Sequence, residues 1–200
     1  MSGRERLGIF GGTFDPPHVG HLVTAVNVRH ELALDRVLLV VNDQPWQKLG
    51  TRDISPAADR YAMVEAAVGT VEGLEASRLE VDRGGMSYTA DTLQALLDDD
   101  PDRDLFVILG SDAAGGLSTW TRADEVRTQA TIVVVERPGS HEVEPPDGWS
   151  WVRVEVPRLE VSSTDLRARV ADGRPLDYLL TPAVIAAVHQ RGLYQASVTP

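Results

Sequence analysis

The chain has 200 residues, no cysteine and a formal net charge of −11 at pH 7; that length suits one domain, or at most two small ones. The missing cysteine excludes disulfide frameworks, thiolate metal sites and cysteine nucleophiles, and the acidic balance argues against broad sequence-independent binding to DNA, which needs Lys and Arg to displace counterions. No apolar run is long enough to span a bilayer, and MSGRERLGIF lacks the apolar core and cleavage site of a signal peptide, so a cytoplasmic protein with no membrane or nucleic-acid partner is expected.

LGIFG (7–11) reads as a first strand, and His18 to Leu34 as the helix that follows Pro16-Pro17. RVLLVV (36–41) is a second strand. Ser55-Pro56 looks like an N-cap with proline at the first helical position, ahead of AADRYAMVEAAV. ASRLEVD (76–82) reads as a strand, Thr89 to Leu97 as a helix, and DLFVILG (104–110) as another strand. Between them, Asp98, Asp99, Asp100, Asp102 and Asp104 lack the spacing and glycine of a calcium loop and read as a solvated turn. ATIVVVER (130–137) and WVRVEVP (151–157) are the last strands, separated by PGSHEVEPPDGW (138–149), a surface excursion. In VSSTDLRARV, Ser162 or Ser163 suits a helix N-cap, with Asp165 placed for a capping box; Thr181-Pro182 opens AVIAAVHQ, which Gly192 closes.

Several of these strands are nearly continuous in apolar residues, as in sheets buried on both faces. Alternating with helices, they predict α/β architecture: a single Rossmann-like domain over residues 1–200, with a parallel sheet, helices on both faces, and a C-terminal helical part, about 160–195, packed on the same domain. Ligands of such sheets lie beyond the carboxyl ends of the strands, at the switch point.

GGTFDPPHVGH leaves the first strand there and opens a helix, where backbone N–H groups and the dipole favour an anion. It is neither GxGxxG nor a P-loop. His18 and His21 sit one turn apart, and three readings stand: a zinc pair, a structural capping pair, or two imidazoles donating to a polyphosphate whose charge grows in a transition state. On the third, Gly11, Gly12 and Gly20 are small because a nucleotide lies against the backbone. Arg167 is a guanidinium able to reach phosphates gathered at a helix start. The remaining histidines, His30, His141 and His189, read as structural or exposed.

GTFDPPHVGH resembles the (H/T)xGH signature of the nucleotidyltransferase superfamily. Nearly the whole chain is similar to the bacterial nicotinate-nucleotide adenylyltransferase family, through GIFGGTFDPPHVGHL, QPWQK (44–48), SYTADTL (87–93), GSD (110–112) with Trp120, RPG (137–139), VSSTDLR (161–167) and LLTPAVIAAVHQRGLY; QPWQK is similar to actinobacterial members. The resemblance implies a nucleotidyltransferase-type fold and adenylyl transfer from ATP to nicotinate mononucleotide, giving deamido-NAD and pyrophosphate in NAD biosynthesis, with Mg²⁺ held mainly through the ATP phosphates. It implies catalytic roles for His18, His21 and Arg167, and ATP binding by Gly11, Gly12, Thr13, Phe14, Gly20, Lys48, Ser163 and Thr164. It places Asp43, Tyr88, Thr89, Asp112, Trp120 and Arg137 at the mononucleotide, with the turn at Tyr88-Thr89 on the nicotinate carboxylate and the Trp120 indole stacked on the pyridine.

Alternatives are transfer to nicotinamide mononucleotide or to another phosphorylated acceptor such as phosphopantetheine, and a nucleotide-binding module without catalysis. A homo-oligomer stays open. The sequence departs from the family pattern at Val41-Asn42-Asp43-Gln44-Pro45-Trp46, where a proline is missing and a carboxylate stands. Turned to the pyridine, Asp43 would favour the amide; turned to solvent, as expected, it leaves the acid preferred.

Overall fold

The computed structural model describes residues 3–44, 54–136 and 143–195. One six-stranded sheet runs through it in the order β3-β2-β1-β4-β5-β6, with every neighbouring pair parallel. The strands are β1 (Arg6–Gly12), β2 (Arg36–Val41), β3 (Leu74–Ser77), β4 (Asp104–Gly110), β5 (Ala130–Glu136) and β6 (Trp151–Glu155). The helices are α1 (Val19–Glu31), α2 (Ala57–Val68), α3 (Leu79–Arg83), α4 (Thr89–Asp99), α5 (Ser111–Ala114), α6 (Ala123–Gln129), α7 (Ser163–Asp172) and α8 (Pro182–Gln190). No helix among the described residues is long and apolar enough to cross a membrane.

Alternate residues of each strand point to opposite faces. Leu7, Ile9, Leu38, Val40, Val107, Ile132 and Val134 meet Leu93, Leu96 and Val126 on one face. Val37, Leu39, Phe106, Ile108, Val133 and Val135 meet Ala25, Val28, Val64 and Val68 on the other. A third cluster joins Met63 and Ala67 of α2 to Leu166 of α7 and to Leu176, Leu180, Val184 and Val188. At the entry edge of the sheet, Glu5 bridges Arg36 (2.6 Å) and Arg103 (2.7 Å), holding β1, β2 and β4 together at the end away from the site.

Most predicted elements are present, with informative shifts. α1 stops before Leu34 because Ala33 adopts a left-handed φ of 47° and Leu34 N–H closes onto the Arg29 carbonyl at 2.9 Å, a helix ending more usual with glycine. Pro56 is the N-cap of α2 and no side chain caps it; Ser55 contributes its carbonyl elsewhere. The strand expected at 76–82 is a correction: β3 ends at Ser77 and α3 takes Leu79–Arg83. Ser77 Oγ accepts the Leu79 N–H, Arg78 pairs with Asp82 one turn on, and Glu80 turns inward. β6 ends at Glu155, two residues early. α7 is capped by Ser162, whose Oγ accepts the Asp165 N–H at 3.2 Å, while the Asp165 carboxylate goes to Arg169 and Arg174. Thr181 caps α8 as expected, with Pro182 at its start. The acidic stretch is a helix end and turn whose Asp99 and Asp100 face Arg103.

Leu166 is fully buried where α7 meets α2 and α8. Leu166→Ala is expected to cost about 2–5 kcal/mol, the range for emptying a packed leucine site, read as a lower urea midpoint.

Candidate active site

The switch point lies between β1 and β4, the strands from which the chain winds in opposite directions across the sheet. A cavity of about 450 Å³ opens there. Its floor is the carboxyl end of β1 and β4, and its walls come from Asn42 after β2, from Glu80 of α3, from the start of α4 and from the segment after β4. Of the predicted residues, Gly11, Gly12, Thr13, Tyr88, Thr89, Asp112 and Trp120 line it. Trp120 also rests on the core below, so its indole is anchored on one side. Tyr88 is the N-cap of α4 in extended conformation, which aims the first amides of an eleven-residue helix at the cavity.

His18 and His21 stand beside this cavity. Phe10 lines the cavity, and its ring centroid is 6.1 Å from that of His21. His18 is itself the N-cap of α1, extended at φ −141°. Its N–H donates to His21 Nδ1 at 3.1 Å, so that nitrogen is the acceptor of the ring. The two rings stack with centroids 3.7 Å apart, and the Phe14 ring edge supports His21 at 5.0 Å. Of the first amides of α1, Val19 donates to the Leu179 carbonyl at 3.0 Å and His21 to that of His18 at 2.9 Å. Among the described residues, no three His, Asp or Glu side chains are grouped to hold a metal ion.

Phe14 offers no side chain to a nucleotide: it is 2 % exposed and belongs to the core. Gly12 is small for the same reason, since a Cβ there would stand 2.7 Å from the Phe14 ring. At Gly20 a Cβ would press at 3.0 Å on both His18 and Val161. Gly11 alone of the three faces open space.

The start of α7 grips the segment before His18. Arg167 Nη1 donates to the Asp15 carbonyl (2.8 Å), its Nη2 to Thr164 Oγ1 (3.2 Å), and Ser163 Oγ to the Pro16 carbonyl (2.9 Å). Part of the guanidinium fork thus holds protein, where the sequence suggested phosphate alone. Neither Arg167, Ser163 nor Thr164 lines the cavity.

Asp43 takes neither orientation weighed for it. Its Oδ2 accepts the Gly85 N–H at 2.8 Å and its own N–H donates to Ser87 Oγ at 3.0 Å, so it ties the exit of β2 to the loop before α4. It is not among the residues lining the cavity, whereas its neighbour Asn42 is. Lys48, Arg137 and His141 lie outside the described residues.

Three residues were missed. Arg60, 1 % exposed, donates to the carbonyls of Ser55, Thr13, Asn42 and Asp43. Glu80, 4 % exposed, accepts from Thr92 Oγ1 (2.7 Å) and Asn42 Nδ2 (2.8 Å). Tyr194 donates to the buried Asp15 carboxylate at 2.7 Å. Only the buried run around Arg60 carried a signal, a lone cation on an apolar helix stripe.

The family model for cytidylyltransferase-like proteins matches residues 9–169. A protein of Acidothermus cellulolyticus named "probable nicotinate-nucleotide adenylyltransferase" is 43 % identical, over 98 % of this chain and 97 % of its own length. The chain belongs to the nicotinate-nucleotide adenylyltransferase family. A second member, from Streptomyces coelicolor, is 46 % identical over 92 % of this chain and 98 % of its own. Among solved structures, the nicotinic acid mononucleotide adenylyltransferase of Plasmodium falciparum complexed with NaAD has a TM-score of 0.76 over 96 % of this chain and 98 % of that one, at 17 % identity, a likeness of fold. This adenylyltransferase therefore shares both the nucleotidyltransferase architecture and, with its actinobacterial relatives, the sequence.

Burial, and then the Asp15 carboxylate beside it, raise the Tyr194 pKa above the ordinary tyrosine value. The unfolded chain then ionises first: the contribution is complete below about pH 10 and is lost as pH rises beyond it. Urea midpoints measured from about pH 9 to 11 should fall more steeply for the wild type than for Tyr194→Phe.

Proposed function

We propose that the chain transfers the adenylyl group of ATP, entering as its magnesium complex, to nicotinate mononucleotide. The mononucleotide phosphate oxygen attacks the α-phosphorus, the bond to the bridging oxygen breaks, and deamido-NAD and pyrophosphate leave. The whole chain acts as one nucleotidyltransferase domain.

The observation that carries this reading is the cavity at the switch point with the stacked imidazoles at its edge. The cavity suits the mononucleotide: Tyr88 and Thr89 bring the start of α4 to the nicotinate carboxylate, Trp120 offers an aromatic face, and Asp112 stands where a ribose hydroxyl needs an acceptor. The phosphates then lie toward Gly11, His18 and His21. His21 donates through Nε2, and Arg167, Ser163 and Thr164 close the same region from α7, with Lys48 as a further cation toward the triphosphate and Arg137 toward the mononucleotide phosphate. In-line transfer needs positioned donors and charge stabilisation, with no covalent adenylyl-enzyme, and the imidazoles here are held by stacking on each other and by the Phe14 ring.

Incubating the protein with ATP, Mg²⁺ and either nicotinate or nicotinamide mononucleotide, then identifying the dinucleotide, tests the reading; deamido-NAD is the expected main product. His18→Ala and His21→Ala should each lower kcat by about 10² or more, measured at a temperature where circular dichroism shows each variant folded. Turnover equal to wild type in both would remove the imidazoles from the chemistry. Because the Asp43 carboxylate is spent on the Gly85 amide, Asp43→Asn, whose amide oxygen can accept the same bond, should leave the ratio of acid to amide kcat/KM within about twofold of wild type.

A further inference from the structure

Glu80 is a buried carboxylate in the cavity wall. Its two oxygens are held by neutral donors, Thr92 Oγ1 and Asn42 Nδ2, and among the described residues no Arg, Lys or His forms an ion pair with it. It is 4 % exposed, yet it forms part of the cavity wall. The lining includes a second carboxylate, Asp112, and no basic side chain among the described residues. A carboxylate taken out of water ordinarily requires a cation as well as hydrogen bonds.

The acceptor proposed above brings one. A pyridine ring linked to ribose through its nitrogen is a pyridinium, positively charged at the end of the molecule remote from the phosphate. We infer that Glu80 is a specificity-determining residue that supplies the negative charge opposite this cationic ring, with the Trp120 indole as its aromatic partner. Thr92 and Asn42 hold the carboxylate in place. The site would thus select nucleotides with an oxidised, quaternary ring over those of the same shape with a neutral ring. This rests on the adenylyl-transfer reading and adds to it the property of the acceptor that Glu80 reads.

The test compares nicotinate mononucleotide with its neutral isostere, 3-carboxyphenyl C-riboside 5′-phosphate, as acceptors for ATP. The isostere keeps the aromatic ring, carboxylate, ribose and phosphate, and lacks only the ring charge. Wild type should favour the pyridinium by about tenfold or more in kcat/KM, mainly through KM. In Glu80→Gln the glutamine oxygen can accept from Thr92 and its amide nitrogen can donate to Oδ1 of a turned-over Asn42 amide, so the cavity keeps its shape; the pyridinium should lose about tenfold while the isostere changes little, bringing the ratio near one. Asp112→Asn, tested beside it, should keep the preference for the charged ring.

Equal use of the two acceptors by wild type would overturn the inference, as would an equal loss for both in Glu80→Gln, the mark of a merely structural role. Collapse of the ratio in Asp112→Asn would assign the charge recognition elsewhere; where Glu80→Gln does not fold, Glu80→Asp, which keeps the charge and draws it back from the ring, should lower the ratio part-way, and an unchanged ratio there would overturn the inference. Failure of wild type to form any dinucleotide from nicotinate mononucleotide would instead count against the adenylyl-transfer reading, a result distinct from all of these.

Discussion

The buried guanidinium of Arg60 is the fixed point of this site. One side chain of α2 reaches the carbonyls of Thr13, Asn42, Asp43 and Ser55, which belong to the exits of β1 and β2 and to the approach to α2 itself. Strand ends at a switch point must diverge to leave room for a ligand, and diverging loops carry carbonyls that have no partner in the sheet. A planar cation with five donors can satisfy several of them at once, which a lysine cannot. The opening between the strands and the anchoring of its rim therefore share one cause.

From this anchor the two sides of the site are built differently. The signature segment after β1 is gripped from the C-terminal part of the chain, through Arg167 and Ser163 of α7, the Leu179 carbonyl and the Tyr194 hydroxyl. Those contacts bind residues 15 to 19, the run that delivers His18 and His21. The third core cluster, with Leu166 and Val184 against Met63, is what presses these elements onto α2. The opposite wall is held by Asp43 on the Gly85 amide and by Glu80 between Asn42 and Thr92. Preorganisation of this kind matters when chemistry depends on geometry, since donors fixed in advance need no reorganisation as charge develops.

Much of the architecture was legible because its signals are local. Apolar runs of strand length, Ser162 and Thr181 at helix starts, and the Gly-Gly exit of β1 depend on neighbours in sequence, and each stands where expected. Misreadings arose where a distant partner decided the outcome. ASRLEVD has the alternation of a strand, but the pull of Asn42 and Thr92 on Glu80 and the bond from Leu79 to Ser77 turn its second half into α3. Phe14 sits within a motif that reads as ligand-binding, while its left-handed backbone sends the ring into the core beneath Gly12. The lone cation on the apolar stripe of α2 marks Arg60 as unusual, but its partners Thr13, Asn42 and Asp43, and the Asp15 carboxylate that Tyr194 meets, lie far away in sequence.

A chain with a net charge of −11 still has to receive polyanions. Screening over roughly 8 Å at physiological ionic strength confines most of that charge to its own neighbourhood, so the groups within contact distance decide what binds. Those groups are graded along the site. His18, His21 and Arg167 gather at one end, where the proposed reading puts the phosphates of both substrates; Glu80 and Asp112 line the cavity, where it puts the ring and ribose. A pyridine mononucleotide has the matching order, phosphate at one end and cationic ring at the other. A simple anion trap would hold the mononucleotide in either direction, phosphate first or nicotinate carboxylate first. On the proposed placement, the graded charge favours the one direction that presents the phosphate to the α-phosphorus of ATP, so orientation, on which in-line attack depends, would follow from the placement of charge more than from its total.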